Sequence, residues 1–214
     1  MNIKQLAFKL YKLINCFPLN NRKHGKLDVV NAGSILINCR IRSTGTGNKL
    51  IFHRGGVFRN CEFIFLGNNN IIEFGEKCAA SGGSFYIEDS NNTIVTGDST
   101  DYAGKIHIAC TESTNIKVGD NCLFSSEIVI RSGDSHSVIN SEGKRSNHAK
   151  DVTIRNHVWV GFRALITKGA LIQENSVVGT GAIVTDVFEE GNVVLAGVPA
   201  KIVKRDINWI TERV

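Results

Sequence analysis

Six aliphatic residues, Ile154, Val160, Ile166, Ile172, Val178 and Val184, recur every six positions without a slip. Four places after each of the first five stands Val158, Ala164, Ala170, Ser176 or Ala182, nearly all small. The same period opens upstream at Val118, Phe124 and Ile130, with Cys122 and Ile128 four places on. A buried helix cannot keep this register, because a 3.6-residue period drifts off one face within two repeats. Each unit therefore reads as one short flat strand plus a corner, and three units close a triangular coil. The aliphatic side chain points inward and the small one sits where the interior narrows. Stacked coils bond in parallel about 4.8 Å apart, so a residue and the one 18 places later form a column.

Upstream the period lengthens to 22. Asn48, Asn70 and Asn92 keep it, as do Leu50, Ile72, Ile94 and Ile116, and Phe52, Phe74, Thr96 and Val118. Gly75, Gly97 and Gly119 close the same units, and Ile41, Phe63 and Phe85 share the spacing. These are coils longer than 18 through an enlarged corner. Composition agrees: glycine and asparagine occur 21 times each and proline twice, a choice that favours corners with positive φ.

A single domain is expected: an N-terminal helical cap over 1–24, long coils over 25–119, six-residue coils over 120–200 with a loop at 137–151, and a cap over 201–214. Ile3, Leu6, Ala7, Leu10, Leu13 and Ile14 follow helical spacing, which suits a cover for the first coil better than a membrane-surface anchor. Gly197, Val198 and Pro199 should end the last coil, and DINWITERV should form a short closing helix. No apolar run approaches the ~20 residues of a bilayer span, and the lysines of the opening segment argue against a signal peptide. Six cysteines without CxxC spacing read as buried thiols in a reducing compartment, so a cytoplasmic protein is expected. Cys39 and Cys61 stack as core, and so do Cys110 and Cys122. A net charge of +5 suits a small anionic ligand but is too scattered for nucleic acid.

The repeat breaks once. After Val118, Phe124 and Ile130 the next sixth position is His136, two places beyond Asp134, and a polar stretch over 137–151 follows before order resumes at Ile154. Long polar excursions from a regular solenoid are functional loops or tolerated insertions. On the residues alone, His136 reads as a core or loop histidine. Trp159, between the inward Val158 and Val160, should face outward. No glycine-rich nucleotide loop of the common kinds is present.

These repeats, with VWVG at 158–161 and AGVPAKIVK at 196–204, resemble the hexapeptide-repeat acyltransferases. The long coils and RSGDSHSV resemble the subgroup that O-acetylates bacterial surface glycans, polysialic acid O-acetyltransferases among them. The resemblance implies an all-β fold, a left-handed parallel β-helix, the handedness coming from the family. It also implies a homotrimer with active sites between subunits and acetyl-coenzyme A as donor. His136 becomes the general base that takes the proton of a sugar hydroxyl. Trp159 lines the groove, its indole N–H available to an acyl or acceptor oxygen. Transfer is expected to be direct, since no serine or cysteine is placed with a base.

Asp134 either orients the His136 ring, binds the acceptor or caps a turn. His107, facing out between Ile106 and Ile108, and Arg131 are further acceptor candidates. Lys144, Arg145 and His148 either contact an anionic sugar or belong to a solvated loop. Matching positions for the coenzyme are Trp159, Gly161, Phe162, Gly179, Thr180, Thr185, Lys201 and Lys204, with the backbone near Phe162 as oxyanion donor. The lysines stand near the 3′-phosphate or are plain surface charge. One departure is Asp186, where relatives carry lysine; Lys168, 18 residues earlier, should lie one coil below it and either supply that cation or neutralise the acid. No metal is expected. The rivals are an amine acceptor, a carbonic-anhydrase-like metal enzyme using His107, His136 and His157, and a non-catalytic solenoid.

Overall fold

The computed structural model describes residues 21–214 together with Leu6 and Lys9. Leu6 and Lys9 are helical, and the rest of the capping helix expected over 1–24 lies outside the described residues, save that Arg22–His24 is already strand. From there the chain winds through about seven turns of a β-solenoid. Three sheets of eight, eight and nine strands form its sides. The first runs from Arg22–His24 to Ile183–Val184, the second from Asp28–Asn31 to Val187–Phe188 and the third from Ile35–Ile37 to Ala200–Lys204. All pairings are parallel except the last, in which Ala200–Lys204 returns antiparallel beside Val194–Gly197.

The columns form as the periodicity requires. Ile41, Phe63, Phe85, Ile108, Ile130, Ile166 and Val184 are stacked in register on the first sheet, all buried. Alternate side chains of a flat strand point to opposite sides, so a fixed inward set follows from any coil that repeats in register. Ile130 pairs with Ile166, 36 residues on, so the polar excursion adds one regular 18-residue coil-length to the chain without disturbing the columns.

The extra length of the upstream coils lies between the first and second sheets. Eleven residues lead from Phe63 to Phe74, whereas six lead from Ile166 to Ile172. The wider interior is filled by rings: Phe52 stacks on Phe74 at 5.5 Å between centroids, and Phe63 on Phe85 at 5.4 Å. Inside the widened corner is a buried asparagine ladder. The carboxamide oxygen of Asn48 accepts from Asn70 N–H at 2.9 Å, that of Asn70 from Asn92 N–H at 2.9 Å, and that of Asn92 from Thr114 N–H at 3.0 Å. Their amide groups donate to corner carbonyls such as Asp89 O, at 2.8 Å. Corner backbone turned away from the ladders of the sheets thus finds partners inside.

The five described cysteines are free and buried. Burial pushes the thiols of Cys78 and Cys122 up to about 11, which leaves them unreactive at neutral pH. No helix among the described residues is long and apolar enough to cross a membrane.

The end of the chain differs from expectation. No helix closes it. The chain reverses after Gly197 into the antiparallel strand of the third sheet, and the following segment runs back to His157, where Trp209 is buried. Its ring stacks on His157 at 4.4 Å and its Nε1–H donates to His157 O at 2.9 Å. A lone aromatic that buries its surface and satisfies its polar atom outweighs the weak helix propensity of so short a tail.

Candidate active site

The loop leaves the first sheet after Ile128–Arg131 at the corner that the long coils enlarge, and rejoins the second sheet at Val152–Ile154. Its two ends meet at Gly133, where a Cβ would stand 2.5 Å from Thr111 Cγ2 and 3.1 Å from Ala149 Cβ. Asn147 organises the root. Its Nδ2 donates to His136 O at 2.7 Å and to Asp134 Oδ2 at 2.8 Å, and its Oδ1 accepts from Val138 N–H at 2.7 Å. Lys168 pairs with Asp134 and donates to Asn147 O at 3.1 Å. The Lys168 ammonium, then Asn147, hold the Asp134 carboxyl below its ordinary range. Further out, Glu112 pairs with Arg145 and accepts from Ala149 N–H at 3.2 Å; the Arg145 guanidinium likewise lowers the Glu112 carboxyl. His136 stands exposed at this braced corner.

Several expectations change at this point. Lys168 does not lie under Asp186, because the last corner is two residues shorter: Leu171 pairs with Val187 rather than with Glu189. Lys168 instead braces the loop root, and the partner of Asp186 is Lys201, at 3.5 Å. Arg145 is tied to Glu112 on the neighbouring corner, while Lys144 and His148 are exposed. Asn147, Glu112 and Trp209 escaped the sequence reading. A polar loop residue and a polar corner residue carry no period to mark them, and Trp209 sits in a tail whose sequence reads as helix.

Trp159 is 39% exposed on the outer side of the third sheet, as expected, in register with Leu123 below and Val177 above. The Trp209 ring lies 6.1 Å from it. Beneath Trp159, Asp101, Leu123, His157, Trp209 and Glu212 border a cavity of about 440 Å³. At the corner joining the third sheet to the first, Gly161 N–H is engaged by Val178 O at 2.8 Å, and the next N–H, of Phe162, has no acceptor among the described residues. A Cβ on Gly161 would come within 2.8 Å of Val178 O, so the close backbone approach requires glycine there. Gly179 and the exposed Thr180 repeat that corner one coil on. Lys201 and Lys204 cap the third sheet beyond Val194–Gly197, and Lys204 makes no ion pair among the described residues. Thr185 lies with Asp186 at the loop's corner, away from Thr180.

The candidate residues therefore fall into two groups on different edges of one prism. His136, Asp134, Lys168 and Thr185 share the corner between the first and second sheets. Trp159, Gly161, Phe162, Gly179, Thr180 and Lys204 share the third sheet and its corner with the first, while Lys201, on the third sheet, reaches Asp186 at the first group's corner. The first sheet separates the groups, and its outer side carries His107 and Arg131. His107 is half-buried, with its ring 6.2 Å from Tyr86; burial and then the Arg131 charge lower its basicity. His107, His136 and His157 occupy the first sheet, the loop corner and the opposite corner.

Among models of protein families, none matches this chain. It is 36% identical over 91 residues to a polysialic acid O-acetyltransferase of Escherichia coli O1:K1, covering 42% of this chain and 29% of that protein. It is 33% identical over 90 residues to the polysialic acid O-acetyltransferase of Neisseria meningitidis, 42% of each chain, and 47% identical over 57 residues to the galactoside O-acetyltransferase of Escherichia coli K12, 27% of each. The chain thus spans less than half the length of these curated relatives. Among solved structures, the polySia-specific acetyltransferase NeuO superposes with a TM-score of 0.78 at 27% identity, over 89% of this chain and 84% of that one. The polysialic acid O-acetyltransferase OatWY gives 0.58 at 28% identity, over 89% and 93%. The fold is that of the left-handed β-helix acetyltransferases. Within that class, the chain's homologues are polysialic acid and galactoside O-acetyltransferases.

Proposed function

We propose that this protein moves acetyl from acetyl-coenzyme A to a hydroxyl of a bacterial surface glycan, a sialic acid polymer of the capsule foremost, in a homotrimer with sites between protomers. One observation carries the reading: a histidine at a braced corner and an outward tryptophan occupy different edges of the prism, so a groove between two copies is where they meet. Its structural kinship with a polySia-specific acetyltransferase over 89% of the chain supports the choice of acceptor. Five buried free thiols suit a cytoplasmic location.

In this reading His136 accepts the proton of the acceptor hydroxyl as its oxygen attacks the thioester carbonyl carbon. The new C–O bond forms, the C–S bond breaks, and the proton passes from the imidazolium to the departing thiolate. The Phe162 N–H faces the charge that grows on the carbonyl oxygen, a contribution of a few kcal/mol in comparable sites, about 3. Asp134, Asn147 and Lys168 hold the loop root so that the imidazole keeps its place. Acetyl-coenzyme A supplies an acyl group activated as a thioester. The groove fits it through the unengaged Phe162 N–H, the glycine corners at Gly161 and Gly179, and the cations Lys201 and Lys204, with Lys201 also offsetting the Asp186 charge.

Release of free thiol from acetyl-coenzyme A, followed across a panel of sugars that includes sialic acid and amino sugars, tests the proposal. His136→Ala should lower the rate by about 100-fold or more. An unchanged rate in that variant removes the base, and turnover confined to amino sugars replaces the hydroxyl acceptor by an amine.

A further inference from the structure

The outer side of the first sheet carries a charge pattern that the coil does not require. Arg22 lies in register beside Arg40, and His24 beside Arg42. The Arg22 and Arg40 charges, on neighbouring rungs about 4.8 Å apart, repel and work against folding. Arg40 has a counter-ion, Glu62 at 3.2 Å. Arg22 and Arg42 are exposed and make no ion pair among the described residues. The four basic side chains border a cavity of about 360 Å³ with Glu62 and Ile64.

The column that starts at His24 and Arg42 continues through Ile64, Tyr86 and Ala109 to Arg131. Arg131 donates to Ser135 Oγ at 2.8 Å, next to His136, while its buried Nε has no hydrogen-bond partner among the described residues. A buried donor without a partner is costly, and an oxygen of a ligand would satisfy it. Arg131 is in register with the small Ala109, and Ala109 with Tyr86, and the Arg131 charge lowers the basicity of His107. Four rungs separate Arg42 from Arg131, about 19 Å along the axis.

We propose that this face is a track for a linear glycan bearing carboxylates at regular intervals, gripped by Arg131 beside the reacting unit and by Arg22 and Arg42 four to five rungs away. The proposal rests on the acetyl-transfer reading. Arginine forks match carboxylates, and the Tyr86 and His107 rings between the two ends offer flat faces to sugars. The distant grip raises the local concentration of acceptor units at His136 without touching the reacting one. The charges are too sparse for a nucleic acid, which presents a phosphate every few ångströms, about 3.4 per strand.

The test uses a long sialic acid polymer and its dimer as probes, with wild type, the double variant Arg22→Glu/Arg42→Glu, and Lys49→Glu as a charge control on the second sheet. Equilibrium binding is measured without acetyl-coenzyme A, and turnover by thiol release. Wild type should bind the polymer at least about tenfold more tightly than the dimer, an advantage that shrinks as salt is raised. The double variant should lose most of that advantage, with the ratio of polymer to dimer kcat/KM falling about tenfold, while Lys49→Glu keeps it. Polymer binding by the double variant equal to that of wild type overturns the track, whether or not the dimer is acetylated. Polymer bound by wild type and lost by the double variant, with no acetylation of either probe, keeps the track and removes the proposed reaction.

Discussion

The side-chain amide of Asn147 donates to the backbone carbonyl of His136 across 2.7 Å, which ties the far limb of the loop to the residue assigned as base. The same amide reaches Asp134, and Lys168 closes the figure from the next coil. We therefore propose Lys168 as a positioning residue. Lys168→Ala should lower kcat by about tenfold while KM for acetyl-coenzyme A moves by less than about twofold, and Lys168→Arg should recover most of the loss. Steady-state kinetics decide it. A rise in KM for acetyl-coenzyme A at unchanged kcat would return Lys168 to the coenzyme.

The loop should also loosen in acid. Asp134 is held below its ordinary 3.8 chiefly by Lys168, and Glu112 below its ordinary 4.5 chiefly by Arg145. A carboxyl whose value is lowered by native partners stabilises the native arrangement fully above its ordinary value and loses that effect as pH falls through the lowered one. Amide exchange over 137–151 should thus stay slow at pH 7 and 5 and rise only below about 4. Equal protection at pH 3 and pH 7 would mean that these pairs do not hold the loop.

The buried ladder makes a stability prediction. Asn70→Ala would strip partners from Asn92 N–H and from Asp89 O, and should cost about 2–5 kcal/mol in urea unfolding. Asn68, on the exposed side of the same corner, accepts from Thr46 N–H at 2.8 Å; Asn68→Ala should cost about 1 kcal/mol or less. Similar losses at the two positions would show that burial of the ladder is not what matters.

The sequence carried whatever the coil repeats. Parallel stacking forces Ile154, Ile172 and their counterparts into columns, so spacing alone revealed the inward set, and Trp159 between Val158 and Val160 had to face out. It also disclosed that upstream coils are longer, though not that the added length sits between the first and second sheets. Contacts that break the period were illegible. The shortened last corner, which separates Lys168 from Asp186, is a slip of two residues in a stretch without marked corner residues. Asn147 and Glu112 meet their partners only because the loop folds back on the corner. The tail read locally as helix, and a single long-range stack of Trp209 on His157 redirected it.

The central claim is that His136 of one copy works with Trp159 of another. Mixing His136→Ala and Trp159→Ala chains by co-refolding or co-expression tests it most directly, with thiol release on a sialic acid acceptor as readout. If the site is shared, each variant alone should be nearly inactive, and an equal mixture should regain about a quarter of wild-type activity, the fraction of grooves that receive both intact residues. A mixture no more active than its parents would contradict the account.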